Sequence, residues 1–251
     1  MQKQEQVQVQ NGKVAIITGG GSGLGEATAR VFSEVGFAVA CLDRNQENAE
    51  RVCQELVAQD GQAIAVGCDV SDAESVAAAV ERVADELGRI DAAINCAAVD
   101  YVVSVNDMQI EQWDSVVDVN LKGPFLIAKA VWPRMQSQGG GHIVNIASTA
   151  ATRAWGNAAA YHASKWGLVG FTRGLGVEGR EHGIKVTTVI PGGMRTHWFD
   201  SFPDQGIPMP DETHLQDPRN VAKVILFAVQ MPAQSSMQEV IVTPVTETSW
   251  P

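Results

Sequence analysis

A tyrosine and a lysine four residues apart have the spacing in this chain that most suggests chemistry. Tyr161 and Lys165 lie in the stretch Tyr-His-Ala-Ser-Lys, and the apolar residues around it follow helical periodicity. Residues i and i+4 share one face of a helix, so the phenol and the ammonium group would be neighbours. A cation about 4 Å away lowers the pKa of a phenol from near 10 towards neutral pH. The pair is therefore a candidate for general acid–base chemistry, with a half-buried tyrosine beside a solvated lysine as the alternative.

A glycine-rich segment follows the first apolar run of the chain. Residues 18–25 read Thr-Gly-Gly-Gly-Ser-Gly-Leu-Gly, and a helical pattern begins there. Glycines between a strand and a helix permit a tight turn and let backbone amides approach a pyrophosphate, whose charge the helix N-terminus favours. The segment predicts a phosphate-binding loop, although a glycine-rich turn without a ligand has the same composition.

An acidic residue ends the second apolar run. Asp43 follows Gly25 by eighteen residues, where a carboxylate can accept hydrogen bonds from both hydroxyls of an adenosine ribose. A carboxylate repels a 2′-phosphate, and Ser22 brings no cation to the loop, so NAD is favoured over NADP. Arg44 favours the alternative, NADP, because its guanidinium could bind the 2′-phosphate of that cofactor.

Short apolar runs alternate with amphipathic stretches along the whole chain. This order predicts a doubly wound α/β Rossmann fold, with a seven-stranded parallel sheet and helices on both faces. The expected strands are 13–18, 37–42, 63–68, 90–95, 142–147, 185–190 and 239–243. The expected helices are 23–36, 46–59, 72–87, 109–136, 156–181 and 217–230.

The strands and helices fit one domain over residues 12–251, preceded by a polar, glutamine-rich tail at 1–11 without the apolar core of a signal peptide. Residues 195–216 are rich in helix breakers and predict a lid over a site, with an ordinary surface loop as the alternative.

The composition narrows the classes of partner. The net charge of −11 argues against nucleic acid and anionic membranes, and no apolar run has the length of a membrane span. Four scattered cysteines without metal-ligand spacing favour a reduced, cytoplasmic setting and no metal site.

Further motifs follow one another in a fixed order. They are Cys-Asp-Val at 68–70, Asn-Cys-Ala-Ala at 95–98, Val-Asn at 119–120, Ile-Ala-Ser at 146–148 and Pro-Gly-Gly-Met-Arg-Thr at 191–196. With the glycine loop and Tyr-x-x-x-Lys, they resemble the short-chain dehydrogenase/reductase family, in its compact single-domain branch, over about 13–230. Cys96 and Ala98 depart from that family's Asn-Asn-Ala-Gly, and the C-terminal end departs from its Asp-Gly-Gly.

The resemblance implies a cofactor site for NAD, with NADP as the alternative. The cofactor-binding residues it implies are Gly19, Gly21, Ser22, Gly23, Leu24, Gly25, Asp43, Arg44, Asp69, Val70, Asn95, Ala97, Tyr161, Lys165, Pro191, Gly192, Gly193, Met194 and Thr196.

The resemblance also implies an oxidoreductase that interconverts a secondary alcohol and a ketone. Tyr161 would exchange the proton on the substrate oxygen, Ser148 would hydrogen-bond that oxygen, and Lys165 would lower the pKa of the phenol and bind the nicotinamide ribose. Asn120 would hold a water beside Lys165. The alternatives are a catalytically silent NAD sensor and a nucleotide-sugar epimerase or dehydratase, which would need a further substrate domain.

Residues after the strand ends should line the substrate pocket. They are Asp100, Tyr101, Thr149 to Trp155, Gly193, Met194, Trp198 and Phe199. This mostly apolar set favours a small neutral, moderately apolar alcohol or ketone. We expect Arg153 to face solvent and His162 to be structural. The resemblance implies a homodimer or homotetramer that pairs through helices 109–136 and 156–181.

Overall fold

The structure is a computed structural model that describes residues 12–200, 202–203 and 209–247. The predicted tail at 1–11 lies outside the described residues, and so do residues 201 and 204–208 of the predicted lid.

Seven parallel strands form one sheet. They are β1 (Val14–Thr18), β2 (Ala38–Asp43), β3 (Ala63–Gly67), β4 (Ala92–Asn95), β5 (Gly141–Ile146), β6 (Ile184–Pro191) and β7 (Glu239–Val242). The order across the sheet is β3-β2-β1-β4-β5-β6-β7, and every neighbouring pair is parallel. Strands β1 and β4 are buried along their length because both faces of the sheet are covered, and they are apolar except for their last residues, Thr18 and Asn95.

Within the described ranges, seven α-helices pack around the sheet. They are α1 (Gly23–Glu34), α2 (Gln46–Val57), α3 (Ala73–Leu87), α4 (Ile110–Val117), α5 (Gly123–Ser137), α6 (Ala159–Glu178) and α7 (Pro218–Gln230). Side chains of α1, α2 and α7 pack into one apolar core, and side chains of α3, α5 and α6 pack into another on the opposite face. The predicted Rossmann fold is confirmed.

The long helix predicted at 109–136 is interrupted. A π-helical segment, Asp118–Lys122, joins α4 to α5, and the N–H of Gly123, the residue after it, donates to the Asp118 carbonyl. Pro124 lacks an N–H and cannot continue α-helical bonding to the carbonyl four residues earlier, so the chain widens by one residue at this turn. The segment contains Asn120, which it turns towards the interior.

The strand order reverses beside β1, so that β1 is flanked by β2 and β4. The segments after β1 and β4 come close together at this point. A side chain on Gly19 (φ +64°) would meet the Ala97 backbone at 3.0 Å, and one on Gly25 would lie 1.9 Å from the Gly19 carbonyl oxygen. Close packing therefore requires glycine here, and it leaves a crevice beyond the strand ends where such folds bind ligands.

Candidate active site

One cleft of about 900 Å³ lies beyond the carboxyl ends of the strands. It is lined by most of the residues predicted to bind cofactor or substrate. These are Gly19, Ser22, Gly23, Leu24, Gly25, Asp43, Arg44, Asp69, Val70, Ala97, Ser148, Tyr161, Lys165, Pro191, Gly192, Gly193, Met194 and Thr196. The fold thus brings the glycine loop and the Tyr-Lys pair into one cavity.

Three predicted site residues lie behind the cleft wall instead of lining it. The Gly21 N–H donates to Asp43 Oδ2 at 3.0 Å. Asn95 is buried at the end of β4, where its Nδ2 donates to Asn145 Oδ1 at 2.7 Å. Asn120 is also buried. The sequence motifs predicted these residues to lie in the site. In the structure, their hydrogen bonds instead connect the segments that form the wall of the cleft.

The side chain of Asn120 joins the segment after β4 to α6. Its Oδ1 accepts from the Val99 N–H and its Nδ2 donates to the Val99 carbonyl, both at 2.8 Å. The same Nδ2 lies 3.2 Å from Ser164 Oγ. The side chain of Asn120 thus bonds to Val99 and Ser164, and its proposed role in holding a water beside Lys165 stays a prediction.

The Tyr161 phenol is buried at the inner end of the cleft, which the Ser148 side chain also lines. Burial raises the pKa of this phenol well above its usual value, the Ser148 hydroxyl lowers it in part, and the Asp100 carboxylate raises it further. The sequence predicted the opposite direction for this pKa. It could not show how deeply the phenol is buried, and burial disfavours the phenolate.

The Lys165 ammonium group is also buried and donates to the Ile146 carbonyl oxygen at 2.8 Å. It lies 5.5 Å from the centre of the Tyr161 ring. Burial lowers the pKa of Lys165 to about 8, while the Cys96 thiol and the Asp100 carboxylate oppose that shift. Lys165 is therefore still mostly protonated at neutral pH, but it loses its charge at a lower pH than an exposed lysine does.

Comparison with known proteins decides the family. A family model described as short chain dehydrogenase matches residues 13–205. The chain belongs to the short-chain dehydrogenase/reductase family. It is 42% identical over 181 residues to D-threitol dehydrogenase of Mycolicibacterium smegmatis (strain ATCC 700084 / mc(2)155), covering 72% of this chain and 70% of the relative.

Two further family members match nearly the whole chain. An oxidoreductase of Staphylococcus haemolyticus is 34% identical over 235 residues, covering 94% of this chain and 98% of the relative. The crystal structure of a metagenomic short-chain oxidoreductase in complex with NADP has a TM-score of 0.82 and 32% identity, covering 93% of this chain and 97% of that chain.

The Asp100 carboxylate also lies in the cleft that Tyr161 and Lys165 line. Its Oδ1 accepts from the Tyr101 N–H at 2.8 Å. Burial raises the pKa of Asp100 to about 6, although the hydrogen bond from the Tyr101 amide and the Lys165 charge each lower it. Tyr101 itself was predicted to line the pocket, but it is 37% exposed and Val102 lines the cleft instead.

Arg153 was expected to face solvent, and the structure corrects this. Its guanidinium lines the cleft and forms an ion pair with Glu247, whose side chain is only 11% exposed. Glu247 lies in the C-terminal segment that departs from the family, and it packs against Gly192. No local sequence pattern predicts this pair, because its members lie 94 residues apart.

The outer wall of the cleft is aromatic. The Trp198 ring lies 5.5 Å from the Tyr161 ring, and the Phe199 and Phe202 rings meet edge to face at 5.2 Å. These residues come from the predicted lid and line the cleft, as expected for Trp198 and Phe199.

Among the described residues, no helix is long and apolar enough to cross a membrane. In the same ranges, no three His, Cys, Asp or Glu side chains are grouped so that they could hold a metal ion.

The raised pKa of Tyr161 can be measured directly, because the chain has only two tyrosines. In an alkaline titration of the free protein, followed by phenolate absorbance, wild type and Tyr161→Phe should give the same signal below about pH 11, since a buried phenol stays protonated past its ordinary pKa near 10. A phenolate signal that appears near neutral pH and disappears in Tyr161→Phe would show instead that the Lys165 charge outweighs burial.

Proposed function

We propose that this chain is an NAD-dependent oxidoreductase that interconverts a neutral secondary alcohol and a ketone, with Tyr161 as general acid and base. The observation that carries the proposal is the grouping of Ser148, Tyr161 and Lys165 at the inner end of the cleft that begins at the glycine loop. Membership of the family supports an oxidoreductase. The residues of the cleft support the more specific proposal, in which Tyr161 transfers the proton and NAD is the cofactor.

The glycine loop fits a dinucleotide. The tight packing at Gly19 and Gly25 keeps backbone close to the cleft, and the Ser22 hydroxyl before α1 makes no capping hydrogen bond. The N-terminus of α1 therefore presents N–H groups and a favourable dipole to an anion. Asp43 would hold the adenosine ribose, and Thr196 and the backbone of 191–194 the carboxamide. When bound, NAD supplies the hydride acceptor or donor.

The residues of the chain supply the proton and the charge stabilisation. In the direction of reduction, the protonated Tyr161 phenol would donate to the carbonyl oxygen, and the Ser148 hydroxyl would hydrogen-bond the same oxygen. These preorganised donors stabilise negative charge that develops on the oxygen in a site from which water is largely excluded. Lys165 would supply positive charge behind the phenol and bind the cofactor ribose.

Charge around the adenosine end favours NAD over NADP. The Asp43 carboxylate is fixed at the end of β2 by the Gly21 and Asn45 N–H groups, at 3.0 and 2.9 Å. Arg30 and Arg51, which flank the loop, are both held in ion pairs with Glu26 and Glu55. Arg44 remains the residue that could serve NADP, the cofactor in one related structure.

Equilibrium binding should favour NAD over NADP by tenfold or more, because Asp43 repels a 2′-phosphate. Asp43→Asn keeps an acceptor oxygen for one of the two backbone N–H groups, of Gly21 and Asn45, and removes the charge, so it should strengthen NADP binding relative to NAD. Asp85→Asn, which removes an exposed charge on α3, is the control and should change neither dissociation constant. Tighter binding of NADP by the wild type would contradict the role of Asp43 and assign cofactor choice to Arg44.

The cleft favours a neutral substrate. Its outer wall is aromatic, and Arg153, which could attract a carboxylate, is paired with Glu247. Asp100 would repel an anion whenever it is ionised. These features support a small, moderately apolar alcohol or ketone.

A polyol is the second candidate substrate, and two observations favour it. Asp100 Oδ2 accepts no hydrogen bond from any residue in the described ranges, so it could accept one from a second substrate hydroxyl. The relative from Mycolicibacterium smegmatis is named for D-threitol, a polyol.

A panel of substrates at fixed NAD, followed by reduced-cofactor absorbance, tests the reaction. It should compare cyclic and aryl alcohols, polyols, hydroxy acids and hydroxyacyl thioesters. We expect the wild type to turn over neutral secondary alcohols. Tyr161→Phe should lower kcat at least a thousandfold with little change in NAD affinity, and Lys165→Ala should lower both the turnover and the NAD affinity. NAD binding without turnover of any compound would favour a silent NAD sensor. Tyr161→Phe activity above a few per cent would refute the proton-transfer role.

We also propose a homodimer that pairs through α5 and α6. A groove between these helices is lined by apolar side chains, including Phe125, Trp132 and Phe171, and Phe125 is 44% exposed. A second copy would bury this surface, as is typical of the family.

Light scattering should therefore report at least a dimer. Phe125→Asp should lower the mass, because a charge buried in the interface lacks a partner. Val105→Asp, at a more exposed apolar residue away from this groove, is the control and should leave the mass unchanged. A monomeric wild type would contradict the proposal.

A further inference from the structure

His162 follows the candidate catalytic tyrosine directly, and both of its ring nitrogens are hydrogen-bonded to backbone groups of one loop. Nδ1 lies 2.8 Å from the Ala150 carbonyl oxygen, to which it donates. Nε2 accepts from the Trp155 N–H at 3.1 Å. The two bonds fit together only in the neutral tautomer that carries its proton on Nδ1. The imidazole also meets the Trp155 ring edge to face, with centres 4.5 Å apart.

This loop, residues 149–157, forms one wall of the cleft, and we call it the substrate loop. Five of its residues line the cleft, namely Thr149, Arg153, Trp155, Gly156 and Asn157. Many of its other hydrogen bonds are local, such as those from the Thr152 and Arg153 amides to the Thr149 carbonyl. His162 instead ties the loop to α6, a rigid element.

The same loop reaches the candidate catalytic hydroxyl. The Ala150 N–H donates to Ser148 Oγ at 3.1 Å, while the Ala150 carbonyl accepts from His162. Ser148 and Tyr161 both line the cleft at this point. A connected path of hydrogen bonds and backbone therefore runs from His162 through Ala150 to Ser148.

We infer that His162 is a positioning residue: it fixes the substrate loop to α6 and so sets both the Ser148 hydroxyl and the cleft wall at Trp155 relative to Tyr161. Because His162 and Tyr161 are adjacent on one helical turn, the residue that would transfer the proton and the residue that places the wall move together. The inference rests on the proposed function for its consequence in catalysis, but the attachment of the loop is a property of the free protein.

The test compares His162→Leu, which removes both hydrogen bonds, with His162→Asn, which keeps a donor for the Ala150 carbonyl. Trp155→Phe is the matched control, because it keeps the backbone N–H and an aromatic ring. Three quantities are measured: amide exchange of residues 149–157, the NAD dissociation constant, and kcat and KM on the best alcohol of the panel.

We expect His162→Leu to speed exchange in the substrate loop and to lower kcat/KM by about tenfold to a hundredfold, mainly through KM, with NAD binding changed less than twofold. His162→Asn should recover part of the loss, and Trp155→Phe should exchange like the wild type at this loop.

Unchanged exchange and kinetics in His162→Leu would overturn the inference. A parallel loss of NAD affinity and thermal stability without recovery in His162→Asn would also overturn it, since that pattern marks a general structural role. If His162→Leu does not fold, His162→Asn must show faster exchange at Trp155 and a raised KM, or the inference fails. A wild type that turns over no alcohol would refute the proposed function, while the exchange data would still decide whether His162 holds the loop.

Discussion

Because all seven strands run in the same direction, the segments that follow them meet at one edge of the sheet, and every group proposed to act in this protein depends on that constraint. Asp43 ends β2, Asp100 follows β4, Ser148 follows β5, and the 191–196 segment follows β6. Helix α6 then lies beside these ends and adds Tyr161 and Lys165. No single element could bring these side chains together.

Burial shifts the pKa values of the ionisable groups at the carboxyl ends of the strands. The phenol of Tyr161 is kept protonated, the pKa of Lys165 falls to about 8, and that of Asp100 rises to about 6. The same physical cause acts on a phenol, an amine and an acid, and in each case it favours the neutral form. Two of the three groups are thereby brought to titrate near neutral pH, where small changes in surroundings alter their charge.

The features that the sequence predicted are those that depend on local pattern or on order along the chain. The seven strands, the glycine loop and the i, i+4 spacing of Tyr161 and Lys165 are of this kind. The π-helical segment was missed although Pro124 signals it, because apolar periodicity continues through the interruption. The direction of the Tyr161 pKa and the pairing of Arg153 with Glu247 depend on burial and on contacts between distant parts of the chain, which no local pattern contains.

The ion pair of Arg153 and Glu247 joins a segment inside the range matched by the family model to a segment outside it. The family match ends at residue 205, so it includes the loop that carries Arg153 but not the segment that carries Glu247. The charge of the cavity near Arg153 is therefore set in part by a side chain outside the matched range. The last described segment of the chain thus contributes to the electrostatics of the cavity without contributing a group to the proposed proton transfer.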